Sequence, residues 1–521
     1  MKFRTLTLVT AMMFAVPAIP LQTAAQEKPH NKPRHHHYKL IDLGTFGGPQ
    51  SYVNIPPSSY AQVLNNGGVA TGWADTSVPD PFPNFCFNPD CFISHAFQWH
   101  EGEITDLRAL PNGASSSSAW ITSNGLTAGA SQNGQIDPLI PGFPEVRAVL
   151  WTDGNIADLG TLEGGYESAA TAVNNQGMVV GLSINTIPDP FPIVDGGASQ
   201  GLGYQTRAFL SLNGTMEDLG TLGTGTDATA YLINEKGQVA GDSFTDQTST
   251  TSLCGTNVPR QDPFFWDSEH GMIDVGTLGG VCGFAFALNT RGQVVGQSDL
   301  SGDQQAHAFV WDPNQTKPRD LGTFGGKNSV ALANNDAGHV TGWAALPGDK
   351  SIRAFLWKDG KKTNLGALHN DGCSQGYSLN SSDQVVGSSI KGCDFVHLSA
   401  STAFLWEKGE GIVDLNTLVS PGSDLHLATE GTINDRGEIA GIGVLPNGDE
   451  HAFLLIPCSE EQGSSDDCEG GDGDIATATQ DHPAAVPQSR VVAPNISAAR
   501  STGRRALRAG MAHRFRTPTT R

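Results

Sequence analysis

Basic residues are scarce in this chain. It has 521 residues, with 31 Lys and Arg against 53 Asp and Glu, and a formal net charge of -22. An acidic surface is repelled by nucleic acids and anionic membranes, so we expect neither as a main partner. Aromatic residues make up only 7% of the chain, whereas Gly numbers 63 and Pro 30. This composition predicts many short elements joined by turns and argues against long helices.

Long apolar runs are missing beyond the N-terminus. There, Lys2 and Arg4 precede a mostly apolar run from Leu6 to Leu21 and the small residues Thr23-Ala24-Ala25. This layout predicts a secretory signal peptide over residues 1–25. No later segment reaches the roughly 18 apolar residues that a membrane span needs. We therefore expect a secreted protein, extracellular or periplasmic, with no membrane span after cleavage.

Common catalytic motifs are also missing. The sequence contains no H-E-x-x-H, G-x-S-x-G, C-x-x-C or Walker loop, and no G-x-G-x-x-G after a strand. Each of these carries a specific chemistry, so their absence makes an enzyme less expected. We assign no catalytic residue, metal or cofactor from the sequence.

Eight cysteines fall into four close pairs. A secreted chain oxidises its cysteines, and without C-x-x-C pairs the sequence favours local disulfides over metal ligands. The expected pairs are Cys86 with Cys91, Cys254 with Cys282, Cys373 with Cys393, and Cys458 with Cys468.

Three sequence landmarks each recur eight times between Tyr38 and Pro457, which predicts a repeat protein. A D-L-G-like segment starts at Asp42, Asp106, Asp158, Asp218, Asp274, Asp320, Asn364 and Asp414. An N-x-x-G-x-V-x-G segment starts at Asn65, Thr122, Asn174, Asn234, Asn289, Asn335, Asn380 and Asn434. An H/R-A-F-x-W segment ends at Trp99, Trp151, Ser211, Trp266, Trp311, Trp357, Trp406 and Leu455.

The repeats predict an all-β propeller of about eight four-stranded blades. Each repeat contains four short apolar runs separated by turn residues such as Asp359-Gly360. Three links are short and one is variable, so we predict the blade order A-F-x-W, D-L-G, I-N, V-V-G with the variable link between blades. His451 to Ile456 is then expected to pair with the strand around Leu40 to Gly44, complete the first blade and close the ring.

Repeated residues are expected to serve architecture. The Asp of D-L-G is predicted to accept turn or blade-linking hydrogen bonds, and the Phe and Trp of A-F-x-W are predicted to pack between blades.

The segments outside the repeats have a different composition from the repeats. Residues 26–37 are predicted to be a His-rich linker, and 458–521 a disordered tail that is first acidic and then basic.

The three landmarks behind a signal peptide resemble the HAF-repeat family of predicted extracellular bacterial proteins. The tripeptide that names the family is present at His95, His307 and His451. The resemblance covers about Tyr38 to Pro457. It implies secretion and a repeat architecture, and it implies no reaction.

Function is expected where the copies differ, in four long links: Ala74 to Ser94, Ser131 to Glu145, Ser183 to Gln205 and Asp242 to Gln261. Equivalent links must emerge on one face. The first and third contain Pro-Asp-Pro-Phe-Pro, in which proline stiffens the loop and lowers the ordering cost of binding. The predicted ligand-binding residues are Asp80, Phe82, Asp137, Phe143, Asp189 and Phe191.

Three interpretations of these links remain open. The main one is a monomeric, non-catalytic binding or scaffold module for an extracellular glycan or protein. The second is a hydrolase or lyase with a site at the channel mouth, formed by Asp80, Asp137 or Asp189, because enzymes of this architecture assemble sites from several blades. In the third, the links merely pack on one another as a lid.

Overall fold

The computed structural model describes residues 36–54, 62–88, 90–162, 164–191, 195–196, 199–200, 202–248, 259–369, 371–393 and 400–458. Nearly all regular structure there is β-strand, apart from the 3-10 helix Leu415–Thr417. No helix in these ranges has the length and apolar character needed to cross a membrane. The predicted signal peptide, most of the His-rich linker and the tail from 459 onwards lie outside the described residues.

The strands form the antiparallel, four-stranded blades of a β-propeller. Six blades are separate sheets, and two more are joined into one eight-stranded sheet by a single parallel pair, Gln261 and Cys282. From blade 2 to blade 8, the first strands of adjacent blades contact one another, so they line the centre. The fold class is therefore as predicted.

Blades 1 to 4 contain β2 to β19. Blade 1 comprises β2 (Gly47–Tyr52), β3 (Ala70–Pro79), β4 (Phe92–His100) and β5 (Glu103–Asp106). Blade 2 comprises β6 (Ser116–Ile121), β7 (Thr127–Ile136), β8 (Pro144–Thr152) and β9 (Asn155–Asp158). Blade 3 comprises β10 (Glu167–Val173), β11 (Val179–Pro188), β14 (Tyr204–Leu212) and β15 (Thr215–Asp218), with a small ribbon, β12 (Asp195–Gly196) and β13 (Ser199–Gln200), between β11 and β14. Blade 4 comprises β16 (Ala228–Ile233), β17 (Val239–Thr248), β18 (Pro259–Asp267) and β19 (Gly271–Asp274).

Blades 5 to 8 contain the remaining strands. Blade 5 comprises β20 (Gly279–Leu288), β21 (Val294–Leu300), β22 (Ala306–Trp311) and β23 (Arg319–Asp320). Blade 6 comprises β24 (Ser329–Asn334), β25 (Val340–Ala345), β26 (Ile352–Lys358) and β27 (Lys361–Gly366). Blade 7 comprises β28 (Cys373–Leu379), β29 (Val385–Ile390), β30 (Ser401–Glu407) and β31 (Gly411–Asp414). Blade 8 comprises β32 (His426–Ile433), β33 (Ile439–Val444), β34 (Glu450–Pro457) and β1 (Tyr38–Asp42).

The predicted strand order within a blade was wrong. Each blade runs I-N, V-V-G, A-F-x-W, D-L-G, so the variable link lies inside the blade, between its second and third strands. The short T-L-G-G link joins blades instead. Its Thr closes the turn, as where Thr323 Oγ1 donates to the Gly326 carbonyl at 2.7 Å. In a repeated sequence, the boundary between blades can be placed at any of the four links. Link length alone therefore did not determine which strand comes first in a blade.

The first and last strands pair as predicted, with Leu40 of β1 opposite Leu455 of β34. However, β1 completes blade 8, whereas we expected the last strand to complete the first blade. Blade 8 also reaches blade 1 through Asn434 Nδ2, which donates to the Asn65 carbonyl at 2.9 Å. These contacts agree with a closed ring, and closure itself stays a prediction.

The A-F-x-W residues form the core between blades, as predicted. The Phe of this segment is completely buried in each of the seven blades that contain one: Phe97, Phe209, Phe264, Phe309, Phe355, Phe404 and Phe453. The Gly of V-V-G makes room for this ring. A Cβ on Gly72 would lie 2.0 Å from the Tyr52 carbonyl oxygen and 3.0 Å from the Phe97 ring. Only glycine permits strands to approach this closely.

The Asn of I-N links neighbouring blades. Asn289 Oδ1 accepts from the Arg291 and Gln293 amides at 3.1 and 3.0 Å, while its Nδ2 donates to the Asn335 carbonyl of the next blade at 3.0 Å. Equivalent donations, at 2.9 to 3.1 Å, are made by Asn65, Asn174, Asn234, Asn335, Asn380 and Asn434. The sequence predicted the turn but not this inter-blade bond.

The Asp of D-L-G accepts a turn hydrogen bond, as predicted. In every blade its Oδ1, or that of Asn364, accepts the backbone amide two residues later at 2.6 to 2.9 Å. The His of H-A-F also contacts the carboxylate of this Asp. For example, His95 Nδ1 lies 3.0 Å from Asp106 Oδ2. The repeated carboxylates are therefore engaged in the fold.

Ring closure can be tested with two buried serines that accept a hydrogen bond from the third strand of a neighbouring blade. Ser51 Oγ accepts from Ala452 at 3.0 Å across the blade 8 to blade 1 junction, and Ser168 Oγ accepts from Ala148 at 2.9 Å within the series. Removing a buried acceptor costs roughly 1–3 kcal/mol. In a closed ring, Ser51→Ala and Ser168→Ala should both lower the free energy of unfolding by such an amount, measured by urea titration. A neutral Ser51→Ala beside a destabilising Ser168→Ala would contradict closure.

Candidate functional site

The second and third strands of blades 1 to 4 are joined by long loops. Since these loops connect equivalent strands, they emerge on one face of the propeller, as expected; we call it the loop face. In blades 5, 6 and 8 the same connection is short, at 301–305, 346–351 and 445–449. The long connections therefore lie in consecutive blades, on one side of the loop face.

The three predicted aspartates begin these loops, and each is buried. Asp80, Asp137 and Asp189 are 5%, 2% and 5% exposed. Their Oδ1 atoms accept the backbone amides of Phe82, Leu139 and Phe191 at 2.8, 2.6 and 2.8 Å. The carboxylates therefore hold the loop turns, and a ligand on the surface does not reach them unless the loops move.

The predicted aromatic residues mainly contact other parts of the protein. Phe143 is buried and makes an edge-to-face contact with Phe85 of the blade 1 loop, with ring centroids 5.4 Å apart. Phe191 contacts the buried Phe244 of blade 4 in the same way at 6.5 Å. Phe82 is half-buried. These contacts join neighbouring blades, as the lid interpretation expects. The prediction that these residues bind a ligand stays untested.

Three exposed aliphatic side chains lie beside these loops. Val78, Ile136 and Ile187 are 51%, 46% and 55% exposed, at the ends of β3, β7 and β11 in three consecutive blades. The next exposed position in each loop is a proline: Pro79, Pro138 and Pro188. We call Val78, Ile136 and Ile187 the apolar ridge. The sequence analysis missed it, although an aliphatic residue within two positions of each loop Asp was a visible signal.

The ridge residues belong to a repeated bulge. The pairing of β3 with β4 shifts between Asp75 and Pro79, and equivalent shifts occur in blades 2, 3 and 4. Within the bulge a side chain accepts the backbone amide two residues later, as where Asn185 Oδ1 accepts from Ile187 at 2.9 Å. Bulges redirect side chains, so the local geometry presents the ridge to solvent.

Disulfides stabilise part of this face. Cys86 is bonded to Cys91 in the blade 1 loop, and Cys373 to Cys393 in blade 7, as predicted. Cys282 and Cys458 are also disulfide-bonded. Their predicted partners, Cys254 and Cys468, lie outside the described residues.

Two buried acids lie under the loops at the same register of their blades. Glu167 Oε2 accepts from the Val146 amide at 2.8 Å, and Asp227 Oδ1 accepts from the Thr206 amide at 2.7 Å. The other oxygen of Glu167 has no hydrogen-bond partner. Burial raises the pKa of Glu167 to about 9 and that of Asp227 to about 7. Glu167 is therefore a proton donor at neutral pH.

One open pocket of about 300 Å³ lies on the loop face beside the short hairpin between β33 and β34. Its lining includes His426, whose Nε2 lies 3.0 Å from the Ser401 carbonyl oxygen. None of the predicted site residues lines it. In the part of the chain that the structure describes, no three His, Cys, Asp or Glu side chains form a metal-binding group.

Comparison with known proteins gives weak structural likenesses only. No family model matches the sequence, and no curated protein matches it. Among solved structures, the β-propeller domain of the Trilobed protease from Pyrococcus furiosus is 8% identical with a TM-score of 0.39, over 71% of this chain and all of that domain. A puromycin-hydrolyzing peptidase from Mycobacterium tuberculosis is 12% identical with a TM-score of 0.40, over 78% of this chain and 62% of the peptidase.

A gluconolactonase from Xanthomonas campestris is more distant, 9% identical with a TM-score of 0.26, over 60% of this chain and 82% of the enzyme. By name, all three are hydrolytic enzymes or a domain of one. At such TM-scores, however, the likeness transfers no activity to this chain.

The buried acids predict a pH dependence of stability. An acid whose pKa is raised by folding binds more protons in the folded than in the unfolded state, so its stabilising effect is full below the unfolded pKa and is lost as pH rises through the folded pKa. For Glu167 this window runs from 4.5 to about 9. The loss is up to about 1.4 kcal/mol per pH unit.

We expect Glu167→Gln, which keeps the acceptor for Val146, to flatten this decline in urea unfolding measured at pH 5, 7 and 8.5. Glu103→Gln, at an exposed carboxylate, serves as the control and should retain the slope. An unchanged slope in Glu167→Gln would show that Glu167 ionises normally in the folded protein.

Proposed function

We propose that this protein is an extracytoplasmic, non-catalytic binding module whose ligand, a glycan or a surface protein, contacts the loop face. The apolar ridge is the observation that carries this proposal. Exposed aliphatic side chains are unremarkable singly, but three on the same face of consecutive blades, each within two positions of a loop Asp, indicate an interaction surface. Because Asp80, Asp137 and Asp189 are buried, a ligand that makes an apolar contact with the ridge does not have to desolvate these three carboxylates.

The location outside the cytoplasm is part of the same proposal. The disulfides Cys86–Cys91 and Cys373–Cys393 support it, because such bonds persist in oxidising compartments. The signal-peptide pattern over residues 1–25 and the three HAF-type landmarks support secretion and membership of the HAF-repeat family.

A hydrolase or lyase acting at the same face is the second candidate. Glu167, protonated at neutral pH, is the group that favours it, because a carboxylic acid with a raised pKa serves as a general acid. Glu167 is 1% exposed. Substrate would reach it only after the blade 2 loop moves.

Substitution of the ridge tests the binding proposal. The wild-type protein is screened on a glycan array and a phage-displayed peptide library, and dissociation constants are measured for the hits. We expect Ile136→Asp and Ile187→Asp to weaken binding more than tenfold, because each places a charge in the apolar contact. Leu212→Asp is the matched control, since Leu212 is 39% exposed next to the Asn213-Gly214 turn, on the opposite face.

The same samples decide between the two candidates. Binding that is lost in the ridge variants, without turnover on a hydrolase and lyase substrate panel, supports the module. Turnover abolished by Glu167→Gln supports the enzyme. Wild-type affinity in both ridge variants would refute the loop face as the site.

A further inference from the structure

Two acidic side chains meet beneath the disulfide-closed loop of blade 1. Asp75, in β3, is completely buried, and Asp90 lies half-buried next to the disulfide-bonded Cys91. Their carboxyl groups lie close enough for a hydrogen bond between them. The Oδ2 atom of each is buried and meets no conventional donor. Two carboxylates form such a bond only when one of them carries a proton.

The remaining contacts of Asp75 supply no positive charge. Its Oδ1 accepts from Asn88 Nδ2 at 3.0 Å, and the Gln50 backbone amide on β2 also donates to it. On β4, the paired residue is Ser94. Glu450 of blade 8 is the other titratable group near Asp90, and its own pKa is raised by burial and by Asp90. The environment of the pair is therefore acidic, and a proton is the available neutralising group.

The pair is one of the attachments between this loop and strand β3. Besides it, Asn88 contacts β3 twice, through Asp75 and by accepting from Trp73 Nε1 at 3.1 Å. Deprotonation would place two negative charges in contact at a buried site while leaving the disulfide intact. The loop would then separate from β3, and its own backbone hydrogen bonds, no longer packed against the blade, would open more often.

We propose that a proton shared by Asp75 and Asp90 attaches the blade 1 loop to strand β3, so that rising pH releases this loop from the loop face. The direction follows from linkage. Burial and the bond to Asp90 raise the pKa of Asp75 from 3.8 to about 8 in the attached state. The attached loop binds more protons than the released loop. The free energy that favours attachment therefore falls as pH rises from about 4 to about 8. The inference concerns attachment and does not rest on the proposed ligand.

Hydrogen exchange in the full-length protein tests the proposal. The reporters are the Asp80 amide, which donates to the Cys91 carbonyl at 2.8 Å, and the Phe87 amide, which donates to Asp80 Oδ2 at 2.9 Å. After correction for intrinsic exchange, their protection should fall between pH 5.5 and 8, by up to about tenfold per pH unit. The Met178 amide, bound to Asn174 Oδ1 on the opposite face, serves as the internal control.

Two variants remove the shared proton. In Asp75→Asn the amide donates to Asp90, and in Asp90→Asn it donates to Asp75, so neither bond requires protonation. In both variants, we expect the protection of the loop amides to change with pH no more than the protection of the Met178 amide does. A wild-type loop whose protection follows Met178 across this range would overturn the proposal, as would an unreduced pH dependence in a folded Asp75→Asn protein.

Discussion

The structure depends on buried side chains of one blade that hydrogen-bond the backbone of the next. Blades 1 to 7 are local meanders, so most of their ladder bonds stay within a blade, although Gln261 and Cys282 pair across blades 4 and 5. Asn289 and its equivalents provide a connection on one face, and Ser168 and its equivalents provide another on the loop face. Loss of a buried partner is costly, which explains why the same polar residues recur from copy to copy.

This constraint assigns the repeated residues to architecture and leaves the loops between second and third strands to vary. In blades 1 to 3 those loops turn their aspartates inward, where Asp137 and its equivalents accept backbone amides. The outward positions are left to Val78, Ile136 and Ile187. Polar groups therefore stabilise the loops, and apolar groups face the solvent, the reverse of the usual surface arrangement.

Buried acidic side chains are a second feature of the loop face. Asp75, Glu167 and Asp227 lie in blades 1, 3 and 4, and burial raises the pKa of each. In all three cases the neighbouring loops supply further carboxylates and little compensating positive charge. Because burial raises these pKa values, we expect the stability of this face to depend on pH, whether its partner is a ligand or a substrate.

Features set by short stretches of chain were predictable from the sequence. The eightfold repeat, the turn formed by Asp320, the buried Phe97 and the Cys86–Cys91 disulfide all depend on residue type and close spacing. The strand order within a blade was not predictable, because a cyclic repeat has no preferred starting point. The disulfides of Cys282 and Cys458 were predicted by spacing, but their partners lie outside the described residues.

By itself, the sequence determined the repeat, its turns and its apolar core, since periodicity and turn chemistry are properties of neighbouring residues. Only the tertiary structure decided which polar atoms point inward. It directed the Asp80 carboxylate to the Phe82 amide, left Val78 exposed, and brought Asp75 against Asp90. Such outcomes depend on how loops from adjacent blades pack, and that packing is set by contacts between residues far apart in the chain.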